Sequence, residues 1–415
     1  MVTTFIESSV RHSAHHGEVT RTEVTTPSTV DPVGTARALR PTIAAAADWI
    51  ERERQLPPHV VEALRGAGFF RMLMPASVGG RQLDLPTYAR VVEELARADA
   101  STAWCVGQGA GLGTCVAYAS PEVASAVFAD PGISLANGPG VANQPGRARA
   151  TTGGYRVSGR WMFASGCLHA TWMLAICELY DAEGNPQRTA SGQSQLRSML
   201  VPRRDVEIVD IWHVSGLRGT GSNQFEIADL FVPADHALWL NAQARREPGP
   251  LYLFPASAVF GPCFSSLALG VAHSALEAFV DQASGKTPRG LSRSLRDSPV
   301  VQSALARAEA RLGAARAYLQ QTLHEVWDTV SASGELRLDQ RVALRLAATH
   351  GIHEAAAVVD VAYELAGSHA IFADQAFERR FRDVHAVTQQ LQGRAAHFET
   401  VGRFLLGLEP DPAFL

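Results

Sequence analysis

The sequence predicts a mainly helical protein with a central β domain, on three observations. Long amphipathic patterns fill residues 34–139, short β-rich runs broken by Gly and Pro fill 140–245, and long helical patterns return over 246–415. At 415 residues the chain has room for two or three domains, and 46% hydrophobic with 19% charged residues is the balance of a globular protein.

Residues 1–33, rich in Thr, Ser, Val and His, lack the apolar segment of a signal peptide and read as a mobile tail. Its His12, His15 and His16 have no Cys or carboxylate partner in register, so they read as solvated rather than metal-bound. Helical spacing follows over 35–52 and 58–67. The second stretch opens on Pro57-Pro58, which suits a first turn, and ends at Gly66-Ala67-Gly68. A helix over 85–97 and an apolar small-residue stretch over 101–119 complete a helical first domain. The β-rich runs are 155–163, 173–179, 198–201, 206–211 and 224–231, with turns at 153–154, 181–186 and 219–222; their spacing fits a small barrel or sandwich. Amphipathic patterns over 264–283, 299–331, 339–366 and 378–391 predict an antiparallel four-helix bundle.

A net charge of −4 and a pI near 6.4 give no basic footprint for nucleic acid. No run of about 18 apolar residues offers a membrane span. Small molecules and proteins are the expected partners. Cys105, Cys115, Cys167, Cys177 and Cys263 are odd in number and lack metal-ligand or disulfide spacing, so they are expected to be buried free thiols in a reducing cytoplasm.

Two segments carry ligand chemistry. In Trp161-Met162-Phe163-Ala164-Ser165-Gly166, strand alternation puts Trp161, Phe163 and Ser165 on one face, where two aromatics and a hydroxyl meet the same ligand. In the loop over 216–222, Gly219 and Gly221 permit close backbone approach while Thr220 and Ser222 offer hydroxyls; an ordinary Gly-rich turn stays open for it. The loop lacks the strand–turn–helix context of a dinucleotide fingerprint.

Four segments, in order along nearly the whole chain after the tail, resemble acyl-CoA dehydrogenase-type flavoproteins. Met74-Pro75-Ala76-Ser77-Val78-Gly79-Gly80 resembles the family's Pro-x-x-x-Gly-Gly turn, and Gly153-Gly154-Tyr155 with Gly159-Arg160-Trp161 resembles the opening of its middle domain. The loop over 216–222 resembles a later family loop. Glu378-Arg379-Arg380-Phe381-Arg382-Asp383, after the turn at Gly367-Ser368, resembles its Glu-Arg-x-x-Arg-Asp helix. The resemblance implies the family's layout of helical domain, β-barrel and helical bundle, usually packed as a homotetramer.

It does not carry the family's best-known chemistry. Where dehydrogenases of the main type have a Tyr-Glu-Gly-Thr-like segment bearing the base, this chain reads Gln389-Gln390-Leu391-Gln392, and an amide cannot abstract an α-proton. The Arg-x-x-Phe-Gly segment that binds FAD pyrophosphate is also missing, leaving Lys286, Arg289 and Arg293 as phosphate candidates. The 161–166 segment instead resembles the Trp-x-Phe-x-Ser-Gly motif of two-component, group D flavin monooxygenases on this fold, both aromatic hydroxylases and amino-sugar N-oxygenases (nitrososynthases).

That resemblance implies reduced FMN, with FAD open, supplied by a separate NAD(P)H:flavin reductase, and oxygenation of a small molecule of secondary metabolism by O2 through a C4a-hydroperoxyflavin. It makes Trp161, Phe163, Ser165, Gly219, Thr220, Ser222, Lys286, Arg289, Arg293, Gly367 and Ser368 cofactor-binding candidates, with Ser165 near the flavin N5. Trp104 and Gln108 become substrate candidates, and Ser165, His385 and Gln390 catalytic ones. Phenol-hydroxylating relatives commonly have a second His where Gln390 stands, and some have one in the first-domain stretch that here reads Gly107-Gln108-Gly109. A substrate atom that is already nucleophilic, such as an amine nitrogen, suits this pattern, while aromatic hydroxylation stays open. Two further readings remain: a dehydrogenase or oxidase with a displaced base such as Glu364 or Glu399, and a non-catalytic member of the fold. Glu378 and Arg382 form an i,i+4 pair on a helix, and Asp383 is expected to partner a neighbouring charge or helix end.

Overall fold

The computed structural model describes residues 31–287, 292–411 and 415. The tail histidines and Arg289 lie outside them. Helix α1 (Pro32–Glu53) starts where Asp31 accepts the Val33 N–H at 3.0 Å and a proline fills the first turn, where no amide partner is needed. Helix α2 (Pro58–Gly66) follows. The carboxylates of Asp84 and Asp99 then cap α3 (Leu85–Ala96) and α4 (Ala100–Leu112), each accepting a backbone N–H at 2.6 Å. The apolar stretch after residue 101 does not stay α-helical to 119, since it tightens to a 3-10 helix over Gly113–Tyr118 before the single turn α5 (Pro121–Val123).

Eight strands make one mixed sheet: β1 (Leu135–Gly138), β2 (Gly146–Thr151), β3 (Gly154–Ala164), β4 (Trp172–Tyr180), β5 (Leu196–Pro202), β6 (Glu207–Val209), β7 (Asn223–Pro233) and β8 (Ala237–Leu238). Their order is β6-β7-β3-β2-β4-β5-β8. Strands β1 and β2 both run parallel to β4, along its first and second halves, and the other pairs are antiparallel. Neither β1 nor β2 announces itself in the sequence, because Leu-Ala-Asn-Gly and Gly-Arg-Ala-Arg-Ala-Thr are poor in β-branched residues; the pairing with β4 makes them strands.

The C-terminal part holds α6 (Ala256–Gly285), α7 (Pro299–Ser333), α8 (Leu338–Ala366), α9 (Ala376–Thr388) and α10 (Ala396–Leu405). Helix α6 begins at Ala256 instead of near 264 and accommodates Pro262. By length and composition alone it would cross a membrane, yet 78% of its most apolar window is buried inside the protein. It is apolar all round because α3, α4, α7, α8 and α9 pack around it. One hydrophobic core therefore runs through both helical parts, and the sheet has its own. All five cysteines are buried and free.

The sheet core is organised by Trp161, which is fully buried, stacks on Phe225 at 4.8 Å and donates its indole N–H to the Ile176 carbonyl at 2.9 Å. Its ring occupies space that only glycine leaves free, since a Cβ on Gly146 would fall 2.1 Å from it. Trp161→Ala is expected to cost about 3–5 kcal/mol of stability, read as a lowered urea midpoint with an unchanged slope.

Candidate active site

Strand β3 pairs with β7 with one register shift between Val157 and Gly159, brings Trp161 opposite Phe225, then slips again so that Ala164 faces Asn223. The second slip is absorbed at Phe163, a non-glycine residue at φ 57°, which costs about 1 kcal/mol or more. The bulge breaks the alternation expected from the sequence. Trp161 points into the sheet core and does not reach a cofactor wall, whereas Phe163 is turned outward, 51% exposed, with Trp212 edge-on at 5.9 Å. Leu168 and Ile211 are exposed apolar neighbours in the same two segments.

Behind this wall runs a buried chain of hydroxyls. The Trp104 indole N–H donates to Ser165 Oγ at 2.9 Å; Ser165 Oγ and Ser222 Oγ are 2.7 Å apart; Ser222 Oγ and Thr220 Oγ1 are 2.7 Å apart; and Thr220 Oγ1 donates to the Leu217 carbonyl at 2.8 Å. An indole only donates, a carbonyl only accepts, and each hydroxyl has one proton. The polarity follows: Ser165 donates to Ser222 and Ser222 to Thr220. Every proton is spent, so Ser165 presents a free lone pair and no free hydrogen. Trp104 is itself stacked on Phe264 at 4.1 Å.

One helical turn after Trp104, and so on the same face of α4, Gln108 donates its amide to Asn137 Oδ1 of β1 at 2.9 Å. Trp212 is fixed from three sides. Asn223 Oδ1 accepts its backbone N–H at 3.1 Å, Leu217 O accepts its indole N–H at 3.1 Å, and Arg54 holds its carbonyl at 3.1 Å while forking onto Asp210 at 2.7 and 2.8 Å.

Near the start of the loop over 216–222, Leu217 is another non-glycine in the left-handed region at φ 53°. Asp383 on α9 accepts its N–H at 2.6 Å, and the neighbouring Arg382 donates to the Ser215 carbonyl. Gly216 is required there because a Cβ would lie 2.2 Å from the Arg382 carbonyl. The Glu378–Arg382 pair forms at 2.5 Å as expected, and Arg382 also bonds Glu51 of α1 at 2.8 Å. Asp383 holds a loop amide, not a charge or a helix end. Burial pushes its carboxyl up to about 7, with Asp99 and Glu51 adding to the rise.

Other expected site residues are engaged elsewhere. Gly219 is buried against Ile50 and Ser101, where a Cβ would meet Ile50 at 2.0 Å, so its small size serves packing of the loop on α1. His385 bonds Asp360 of α8 at 2.8 Å and lies against Phe381. Gln390 caps a 3-10 turn through the Gln392 N–H at 2.6 Å, and Gln392 in turn accepts from Arg345 at 2.6 Å. Lys286 donates to the Ala366 carbonyl at 2.5 Å, capping the end of α8 next to Gly367. Gly367, Ser368 and Arg293 are exposed and are not brought to the hydroxyl chain by any contact. His169, whose ring lies against Gly166 and Phe70, is pushed down to about 4, first by burial and then by Arg65, so it is neutral at pH 7.

Sequence reasoning missed Asn137, Trp212 and Leu217. Asn137 sits in a strand without β signals, and nothing in the sequence marks Leu217 as left-handed; Trp212, an aromatic four residues before a Gly-rich loop, was the detectable signal. The arrangement fits a flavin. An exposed, strained aromatic with an edge-on partner gives a planar ring an apolar wall, and an acceptor-only hydroxyl beside it matches an N–H on the polar edge of a reduced flavin.

Comparison with known proteins agrees. Residues 35–129 match the N-terminal domain and 262–392 the C-terminal domain of acyl-CoA dehydrogenases. Indole-3-acetate monooxygenase of Acinetobacter baumannii is 28% identical over 373 residues, 89% of this chain and 92% of that protein. The flavin-dependent monooxygenase oxygenase subunit HsaA of Rhodococcus jostii is 29% identical, over 84% and 91%. Among solved structures, 3-HSA hydroxylase from Rhodococcus sp. RHA1 superposes with a TM-score of 0.83 at 26% identity, covering 93% of this chain and all of that one. XiaF from Streptomyces sp., in complex with FADH2 and glycerol, gives 0.84 at 25% identity, over 92% and 97%.

The state of Asp383 sets a pH dependence. An unfolded Asp releases its proton near 3.8, whereas folded Asp383 keeps it to about 7. The folded state binds the extra proton across that window, so this group's contribution to stability falls as pH rises from about 4 to about 7 and is level above. In thermal melts Asp383→Asn, which keeps an acceptor for Leu217, should gain more over wild type at pH 8 than at pH 4.

Proposed function

The chain belongs to the acyl-CoA dehydrogenase family, and from that premise we propose that it is the oxygenase component of a two-component flavin-dependent monooxygenase, hydroxylating an electron-rich aromatic small molecule. The observation that carries the reading is the acceptor-only Ser165 hydroxyl behind an exposed aromatic wall, in a chain whose dehydrogenase base position is filled by Gln389, Gln390 and Gln392. The amides of Gln390 and Gln392 are tied into a turn and to Arg345.

Reduced flavin, when bound, supplies the two electrons that let one oxygen atom of O2 enter the substrate while the other leaves as water. The chain's own residues bind and orient. Phe163, Trp212 and Leu168 would flank the ring, and Ser165 would accept from an N–H on its edge. The closed hydroxyl chain behind Ser165 leaves it no proton to donate, so only a donor can be seated at its free lone pair. The Gln108–Asn137 pair is a neutral polar contact for substrate and does not ionise it. His169, with its affinity pushed to about 4, is too weak a base to make a phenolate at neutral pH. With His169 set aside as the base, the reading takes a ring that is nucleophilic as a neutral molecule, as an indole-like ring is. The same missing base favours a second reading, oxygenation of a neutral amine nitrogen.

Within this reading reduced FMN or FAD comes from a separate NAD(P)H-dependent reductase. The chain assembles as a homotetramer, which would cover the exposed Ile371, Phe372, Leu405 and Leu406.

With a flavin reductase, NAD(P)H, FMN or FAD and isotopically labelled O2, the protein should transfer one labelled atom to an electron-rich aromatic. Label appearing only in a primary amine would select the second reading. Bleaching of bound flavin by an acyl-CoA, with no label transferred, would overturn both. Ser165→Ala should divert O2 to hydrogen peroxide and lower the product yield on the order of tenfold, the worth of one hydrogen bond.

A further inference from the structure

Asp383 takes no part in the chemistry above, yet its side chain reaches across 166 residues of sequence to a single loop amide, the Leu217 N–H at 2.6 Å. Several features converge on that residue. Leu217 has a left-handed backbone without being glycine, so something must hold it there. Its carbonyl is the terminus of the hydroxyl chain, taking Thr220 Oγ1 at 2.8 Å, and it also takes the Trp212 indole at 3.1 Å. The preceding Gly216 lies against the backbone of α9 at Arg382. Leu217 thus has Asp383 on its amide, and both the hydroxyl chain and the aromatic wall on its carbonyl.

We infer that Asp383 is a positioning residue for the flavin edge: by fixing Leu217 in its left-handed conformation it holds the last acceptor of the hydroxyl chain, and through Thr220 and Ser222 it sets the direction of the free lone pair on Ser165. The inference rests on the flavin reading above.

The surroundings make this control sensitive to charge. Asp99 of α4 and Glu51 and Asp48 of α1 are the carboxylates around it; Arg379, Arg380 and Arg382 of α9 and Arg218 of the loop are the cations, and Glu277 of α6 acts on Arg380. The arginines are committed to other partners: Arg379 to Asp48 at 2.9 Å, Arg380 to Ser274 at 2.7 Å, and Arg382 to Glu51 and Glu378 at 2.8 and 2.5 Å. Burial above all, then Asp99 and Glu51, make Asp383 change charge near neutrality, and Leu217 then sees a strong carboxylate acceptor above that point and a weaker carboxylic acid below it.

The test uses the full-length chain with its tryptophans labelled, so that the Trp104 indole N–H resonance reads its hydrogen bond to Ser165 directly, together with anaerobic titration of reduced FMN. In wild type the indole resonance should move with pH with a midpoint near 7. Asp383→Asn, which still accepts from Leu217, should keep the resonance in place but abolish its pH response, which also separates Asp383 from Asp99. Asp383→Ala should shift the resonance and weaken reduced FMN about tenfold or more, the worth of a charge-assisted hydrogen bond. A folded Asp383→Ala with wild-type indole signal or wild-type FMN affinity overturns the inference. If that variant does not fold, Asp383→Asn decides, and an unchanged pH response overturns it. Failure of the oxygenase reading would appear elsewhere, as a wild type that transfers no label from O2 while both measurements here behave as stated.

Discussion

Four protons and four acceptors, running from the Trp104 indole to the Leu217 carbonyl, constrain everything built around them. Because the first member only donates and the last only accepts, no link can reverse without leaving a buried group unpaired. The chain joins parts that are far apart in sequence: α4 supplies the indole, the end of β3 supplies Ser165, the loop before β7 supplies Thr220 and Ser222, and α9 holds the terminus through Asp383. The shared helical core, with α6 surrounded by α3, α4, α7, α8 and α9, keeps these elements in register. A site assembled this way is only as exact as the packing of helices from both ends of the chain.

Dehydrogenation and oxygenation on this fold ask different things of the segment after α9. Removing an α-proton needs a carboxylate free to take it. Here the corresponding side chains are amides with structural duties, Gln390 capping a turn and Gln392 accepting from Arg345. Two titratable groups behind the wall are shielded as well: His169 is held neutral by burial, and Asp383 faces a backbone amide.

The helices were largely legible because their apolar periodicity and proline or carboxylate starts are local signals; α3 and α7 begin where those signals put them. Strands β1 and β2 were not, since their identity depends on β4, a partner nearly forty residues beyond β1. Within the site, Ser165, Ser222, Thr220 and Trp104 could be named from residue type and motif, and the structure brings those four together. That Trp161 and Phe163 face opposite ways could not be read, because period-2 alternation assumes a regular strand and a bulge leaves no mark in these residue types. The setting of His385 was not legible either: its residue type suits a base, but its partner Asp360 lies on a different helix, 25 residues earlier.

The bulge at Phe163 has a consequence for how such a protein can change. Two aromatic residues only two positions apart answer to separate demands, one to the interior of the sheet and the other to whatever lies outside it. Replacing the outer one alters the wall that a ligand meets while the sheet keeps its filling, and replacing the inner one does the reverse. A single extra residue in one strand thereby divides inheritance from innovation, leaving the scaffold conserved in shape while the surface it offers is free to be rewritten.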